Sequence, residues 1–123
     1  MTRENREVLD VAAEAAGLEG PWSPLTLATV NDYDVRVFRA EGAFDRHTHS
    51  DTDELFLVLR GRLTIRYDDG EVVLGPGQLH VVPRGTPHQP VAEQGAEALL
   101  LEPSATVNTG DEGGPRTAAR RVR

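Results

Sequence analysis

The chain has 123 residues, no cysteine and a formal net charge of -7. That length suits one domain with a single core, and the missing cysteines exclude a disulfide framework, a thiolate metal ligand and a cysteine nucleophile. All thirteen basic residues are arginine, which excludes Schiff-base chemistry on a lysine, and a body this acidic repels phosphate backbones, so no nucleic-acid partner is expected.

In chain order, residues 3–16 form the one predicted helix. Val8, Leu9, Ala12, Ala15 and Ala16 give it an apolar stripe at helical spacing, and Gly17 offers a stop. No signal-peptide core is present and no apolar run approaches about 18 residues, so a soluble cytoplasmic protein without a membrane span is expected. The run from Gly20 to Pro24 breaks the helix, and strands are predicted over 25–30 and 34–40, around His47, and over 55–59 and 62–67. Asp69-Gly70 is a hairpin signal, and further strands follow over 71–74, 78–82, 88–92 and 96–101. Many short strands with Gly/Pro turns and one terminal helix argue for an all-β barrel or jelly roll. The expected organisation is a helix and linker over 1–20, a barrel over 21–109, and a disordered arginine-rich tail over 110–123. The tail carries four arginines and no large apolar group beyond residue 115, after a Gly/Pro-rich stretch.

Two of these strands have a pattern that matters beyond the fold. In 62–67, Leu63, Ile65 and Tyr67 alternate with polar residues, as a strand with one wet face does. In 55–59 there is no such alternation: Phe56 and Val58 share the face of Glu54, and Leu55, Leu57 and Leu59 load the other. Those leucines need cover, some of it from the helix or the other sheet, and a homodimer is expected to supply the rest. Trp22 fits either that contact or a cap on the core.

Three of the four histidines belong to one constellation. His47 and His49 alternate on an extended chain and can aim two imidazoles at one ion. The polar loop 50–53 can return Glu54 at the head of the next strand, whose apolar character makes an unpaired inward carboxylate costly. A strand ending in the turn Pro83-Arg84-Gly85-Thr86-Pro87 brings His88 as a candidate fourth ligand. Imidazole plus one carboxylate suits a divalent transition metal, Zn, Fe, Ni, Mn, Co or Cu, one per chain, and offers too few oxygens for Ca or Mg. Asp51 and Asp53 read as solvated acids, and His80 as a structural histidine.

These stretches resemble the two motifs of the cupin superfamily. Gly42, His47, His49, Glu54 and Gly61 match the first, and Gly77, Pro83, Gly85 and His88 the second. Four residues rather than five separate Gly42 from His47, and Ala92 stands where the second motif ends in Asn. The resemblance, over roughly 25–103 and closest to small single-domain bacterial cupins, implies a jelly-roll β-barrel, often dimeric, with three histidines and a glutamate on one metal. In that superfamily this ligand set serves dioxygenases, isomerases, epimerases, decarboxylases and cyclases, and also proteins without a known reaction; the fold does not choose among them.

The function expected is therefore a metalloenzyme acting on a small oxygenated molecule, with a non-catalytic small-molecule or sugar-binding sensor as the alternative. No acid or base stands out to face the metal, so catalytic residues beyond the ligands stay unassigned. Phe38, Phe44, Phe56 and Tyr67 could line an apolar pocket, and Arg36, Arg60 or Arg66 could clamp a carboxylate if one turned inward.

Overall fold

The computed structural model describes residues 6–123. It is mostly β, as expected. One helix, α1 (Val11–Ala16), precedes strands β1 (Leu25–Val30), β2 (Tyr33–Ala43), β3 (Glu54–Gly61), β4 (Leu63–Tyr67), β5 (Gly70–Leu74), β6 (Leu79–Val82), β7 (Gln89–Pro103) and β8 (Arg121–Val122). The helix is shorter than its apolar stripe predicts because Asp10 caps it: the carboxylate accepts a hydrogen bond from Ala13 N at 3.1 Å, which fixes the first turn at Val11. Residues 3–5 of the predicted helix lie outside the described residues. Among those described, no helix is long and apolar enough to cross a membrane.

The strands form one hydrogen-bonded sheet with the path β5-β4-β7-β2-β1-β8, and β3 and β6 branch from β7. It does not close on itself through backbone hydrogen bonds. Strand β7 explains the branching. Its first residues pair with β4, at Pro90 and Val91, while its later residues from Ala96 to Leu101 pair with β3, and β2 runs beside both parts. The turn predicted between 92 and 96 is thus a bend inside one long strand, marked by a register shift in β2 between Ala40 and Gly42. The bend lets a single strand serve two facing portions of the sheet.

Between those portions lies the main core, which includes Trp22, Phe38, Phe44, Phe56, Val58, Leu63, Ile65 and Leu100. Trp22 is a core residue: it stacks on Phe38 with centroids 5.9 Å apart, and its Nε1 donates to the Glu41 carbonyl. Glu54, Phe56 and Val58 face this interior, and Leu55, Leu57 and Leu59 the outside, half-buried. Leu59 packs with α1 and its neighbours Leu18, Leu27 and Val37 in a second, smaller cluster. Leu55 and Leu57 do not join it. They lie opposite Val81 and Leu79 of β6, which are 41% and 61% exposed.

The arginine tail differs from the solvated terminus expected of its composition. Beyond the bend at Gly113, β8 runs parallel to β1, Arg123 N donates to the Thr26 carbonyl, Arg120 pairs with Asp34, and Arg123 pairs with Glu14. Main-chain pairing and arginine–carboxylate contacts, rather than apolar area, place this segment.

Candidate metal centre

His47 is not in a strand, contrary to the prediction; it makes an isolated antiparallel bridge with His88. The amide of each donates to the carbonyl of the other, at 2.9 Å and 3.0 Å. This two-residue clamp replaces a ladder and brings two imidazoles together. His49 is tied to the second motif through its carbonyl, which accepts from Gly85 N at 2.8 Å. Gly85 has φ of 74°, the left-handed conformation that a side chain disfavours, so the glycine of the Pro-x-Gly turn is what lets that amide reach the histidine loop. Glu54 starts β3 on its inward face, opposite Val82.

The four side chains converge: each offers a donor atom, and these atoms lie within 4.8 Å of one another, all in buried residues. The Nε2 atoms of His49 and His88 stand 3.5 Å and 3.4 Å from Glu54 Oε1. The orientation of the rings is set from behind. His47 Nδ1 sits 2.8 Å from the Asp45 carbonyl and His88 Nδ1 2.9 Å from that of Thr86. A carbonyl only accepts, so Nδ1 carries the proton in each neutral ring and Nε2 keeps a free lone pair. Phe44 packs edge-on against His47, with centroids 5.5 Å apart.

Hydrogen-bond satisfaction is the test of what this cluster is for. Among the described residues, five buried side-chain polar atoms have no partner, and three of them are His49 Nε2, Glu54 Oε1 and His88 Nε2. Native interiors rarely leave such atoms unpaired, and three lone-pair donors aimed at one point are what a cation satisfies. The donor set fits a divalent transition metal.

Burial depresses the His47 imidazole to about 4, assisted by repulsion from His88 and opposed by the Asp45 carbonyl. Burial also works against a charge on His49, but the nearby Glu54 carboxylate outweighs it and raises that histidine above its usual value. For Glu54, burial would push the carboxyl up, yet the neighbouring Glu102 carboxyl and the His49 and His88 imidazoles hold it well below the usual range.

Glu102 is the residue the sequence reading missed. Leu55 pairs with Leu101, so the same register sets Glu54 against Glu102 on the inward face. Glu102 is fully buried and receives Arg36 Nη1 at 2.6 Å. Burial and the adjacent Glu54 charge raise its carboxyl well above normal. Its signal was available: Ala98, Leu100 and Glu102 alternate inward, so the strand ends with an acid on its buried side.

The remaining candidates fall elsewhere. Phe44 and Phe56, with Trp22, Phe38, His47 and Glu54, line a cavity of about 30 Å³ beside the cluster, which is room for a water or two. Tyr67 is inward but bonds His80: its hydroxyl is 2.6 Å from Nε2. Thus His80 stays out of the cluster, as expected of a structural histidine. Arg36 turns inward, but Asp34, Glu102 and two carbonyls occupy it. Arg60 pairs with Glu97 and Arg66 with Glu71, so neither clamps a ligand.

Comparison with known proteins agrees with this geometry. The family model described as Cupin domain matches residues 35–103. A crystal structure of a cupin-2 domain containing protein from Shewanella frigidimarina superposes with a TM-score of 0.76 and 34% identity, covering 78% of this chain and 94% of that one. The uncharacterized protein YdbB of Bacillus subtilis is 42% identical over 65 residues, which are 52% of this chain and 58% of YdbB. This chain therefore matches little more than half the length of that relative. Hydroquinone 1,2-dioxygenase from Sphingomonas sp. TTNP3, with 4-hydroxybenzoate bound, shares the fold at a TM-score of 0.66 and 20% identity, covering 79% of this chain and 80% of its own.

Proposed function

This chain belongs to the cupin domain family, and on that premise we propose that His47, His49, Glu54 and His88 hold one divalent transition-metal ion in a metalloenzyme for a small oxygenated molecule. The observation that carries the metal is the trio of orphaned buried atoms, His49 Nε2, Glu54 Oε1 and His88 Nε2. When bound, such an ion supplies Lewis-acid polarisation of an oxygen or a lowered water pKa. The chain's own groups do the rest. The carbonyls of Asp45 and Thr86 fix two imidazole tautomers, Glu54 contributes the negative charge, and Trp22, Phe38, Phe44 and Phe56 keep bulk water out. On an ion that takes six ligands these four donors would leave positions open, a feature of reactive rather than closed structural sites.

A second reading, a sensor that binds a small molecule or sugar without turnover, is favoured by one observation. The cavity beside the cluster offers no acid or base besides the ligands themselves. The likeness to hydroquinone 1,2-dioxygenase, at 20% identity, speaks for the fold and not for a substrate. Metal analysis of protein purified without chelator tests the site: about one ion per chain is expected, and loss of it in His88→Ala and Glu54→Ala. Full metal retention in both variants would refute the ligand set. Turnover of a metabolite panel by the loaded protein separates enzyme from sensor, since a sensor gives melting shifts without product.

We further read the two facing portions of the sheet as a jelly-roll barrel over 21–109 that works as a cytoplasmic symmetric dimer without nucleic-acid partners. Support for the dimer is the outward face of β3 and β6, where Leu55, Leu57, Leu79 and Val81 are incompletely covered and, among the described residues, β6 pairs with β3 alone. Sedimentation at micromolar concentration should give a dimer, and Leu79→Glu a monomer. A wild-type monomer would refute it.

A further inference from the structure

After β7 the chain does not leave the cluster; residues 104–118 cross directly over the histidine loop. Asp111 N donates to the Thr48 carbonyl at 2.8 Å, Thr48 N donates to Glu112 Oε1 at 3.3 Å, and Ser50 Oγ donates to the Asp111 carboxylate. Gly110 sits so close that a Cβ there would overlap the Thr48 carbonyl oxygen and come within 3.1 Å of His47 Cδ2, at a φ of +68° that already disfavours a side chain. Asn108 pins the other end. Its Nδ2 donates to the carbonyls of Trp22 at 3.3 Å and Arg116 at 2.9 Å, and its Oδ1 accepts from Ala118 N at 2.9 Å.

This crossing divides the space around the cluster. On one side is the cavity of about 30 Å³ that reaches His47 and Glu54, with Asn108 and Trp22 in its wall. On the other is a groove of about 230 Å³ that reaches His49, walled by Ser50, Thr106, Gly110 and Asp111. Neither space alone spans the cluster: the first is small, and the second reaches only His49 of the four residues. Ser104 and Thr106 tie the start of the crossing segment to the buried Arg36 and Asp34, but over 107–112 it is held by hydrogen bonds, with Thr109 its one buried side chain, the character of parts that open locally, and this stretch ends at Gly113 and Gly114, both at positive φ.

We propose that residues 107–112 are a lid that sets the size of the ligand reaching the cluster: shut, it passes water-sized ligands to His47 and Glu54, and lifted between Thr106 and Gly113, it joins the two spaces and admits an organic molecule. The lid rests on the reading of the four residues as a metal site. Asn108 and Gly110 are its positioning residues, one holding it to Trp22 and the other letting it seat on His47.

The chain has no cysteine, so Ser50→Cys with Asp111→Cys, at two side chains already in contact, gives a single lockable disulfide. The full chain is loaded with Co(II) and challenged with 4-(2-pyridylazo)resorcinol, a chelator far larger than water. The oxidised protein should surrender cobalt at least about tenfold more slowly than the same protein reduced with a phosphine, while azide, a three-atom anion, reaches the cobalt at equal rates in both. Asn108→Ala should release cobalt to the chelator at least about tenfold faster than wild type, at temperatures well below its melting point. Equal chelator rates in the oxidised and reduced forms, or azide slowed in step with the chelator, overturn the lid. If the disulfide does not form or the pair does not fold, Asn108→Ala decides alone, and a wild-type rate overturns the lid. A wild-type protein that takes up no cobalt overturns the metal site itself, and the lid with it; a loaded protein that fails the chelator comparison overturns only the lid.

Discussion

Two groups of buried charge share this interior, one around Asp34 and one around Glu54, and their hydrogen-bond accounts are opposite. Asp34 accepts from Thr26, Thr29, Ser104, Arg36 and Arg120 at 2.6 to 3.3 Å, and Arg36 spends its remaining donors on Glu102, Ser104 and Thr106. Burial opposes the Asp34 charge, but these hydrogen bonds, led by Arg120, hold its carboxyl far below the usual range. Glu54 Oε1 has no donor partner at all, and faces two imidazole nitrogens equally without one. A carboxylate whose acceptors are met by the chain's own donors is architecture; a cluster with donor atoms to spare suits the metal proposed for it. Glu102 links the two, taking Arg36 on one side and facing Glu54 on the other.

The largest expected effect breaks the Asp34 network. Asp34→Ala leaves Arg36 buried beside a single acid and should cost about 3–5 kcal/mol of stability in urea unfolding. Glu54→Ala should behave differently. It should weaken metal affinity by at least about 100-fold, and cost the metal-free protein less stability than Asp34→Ala does, because Glu54 Oε1 has no hydrogen-bond donor to leave behind. If metal-free Glu54→Ala loses as much stability as Asp34→Ala, the contrast between the two groups is mistaken.

Acid sharpens the comparison within the metal cluster. In metal-free protein, nitrogen-detected NMR should show His47 titrating near 4, and His49 above its ordinary value. The signs differ. Depressed in the folded state, His47 adds stability that is present above about 6.5 and is lost as pH falls toward 4. Raised in the folded state, His49 adds stability that is present below about 6.5 and is lost as pH climbs through its elevated value. Identical titration of the two rings would show that burial and Glu54 do not distinguish them. The smallest effect belongs to Arg120→Ala. Its guanidinium is 44% exposed, so its removal should cost less than about 1 kcal/mol, and a loss near that of Asp34→Ala would mean the tail arginine is as integral as Arg36.

Much of the site was legible along the chain because ligand chemistry restricts residue type. His47, His49, Glu54 and His88 converge as their spacing suggested, and Leu63, Ile65 and Tyr67 turn inward as alternation required. What misled was local composition. The tail is poor in apolar residues, but its arginines find Asp34, Glu7 and Glu14 far back in sequence. The apparent turn over 93–95 contains Gly95, and nothing local says that the strand continues through it to pair with two partners.

By itself the sequence determined the strand-rich class, the inward and outward faces, and which four side chains come together, since period-two alternation and the identity of imidazole and carboxylate are local properties. Only the tertiary structure decided that the His47–His88 clamp replaces a strand, that Glu102 lies opposite Glu54, and that residues 104–118 cross the histidine loop. Each of these is a contact between segments far apart in the chain, fixed by register and by where a buried charge or an unpaired amide can be satisfied, and no window of neighbouring residues carries that information.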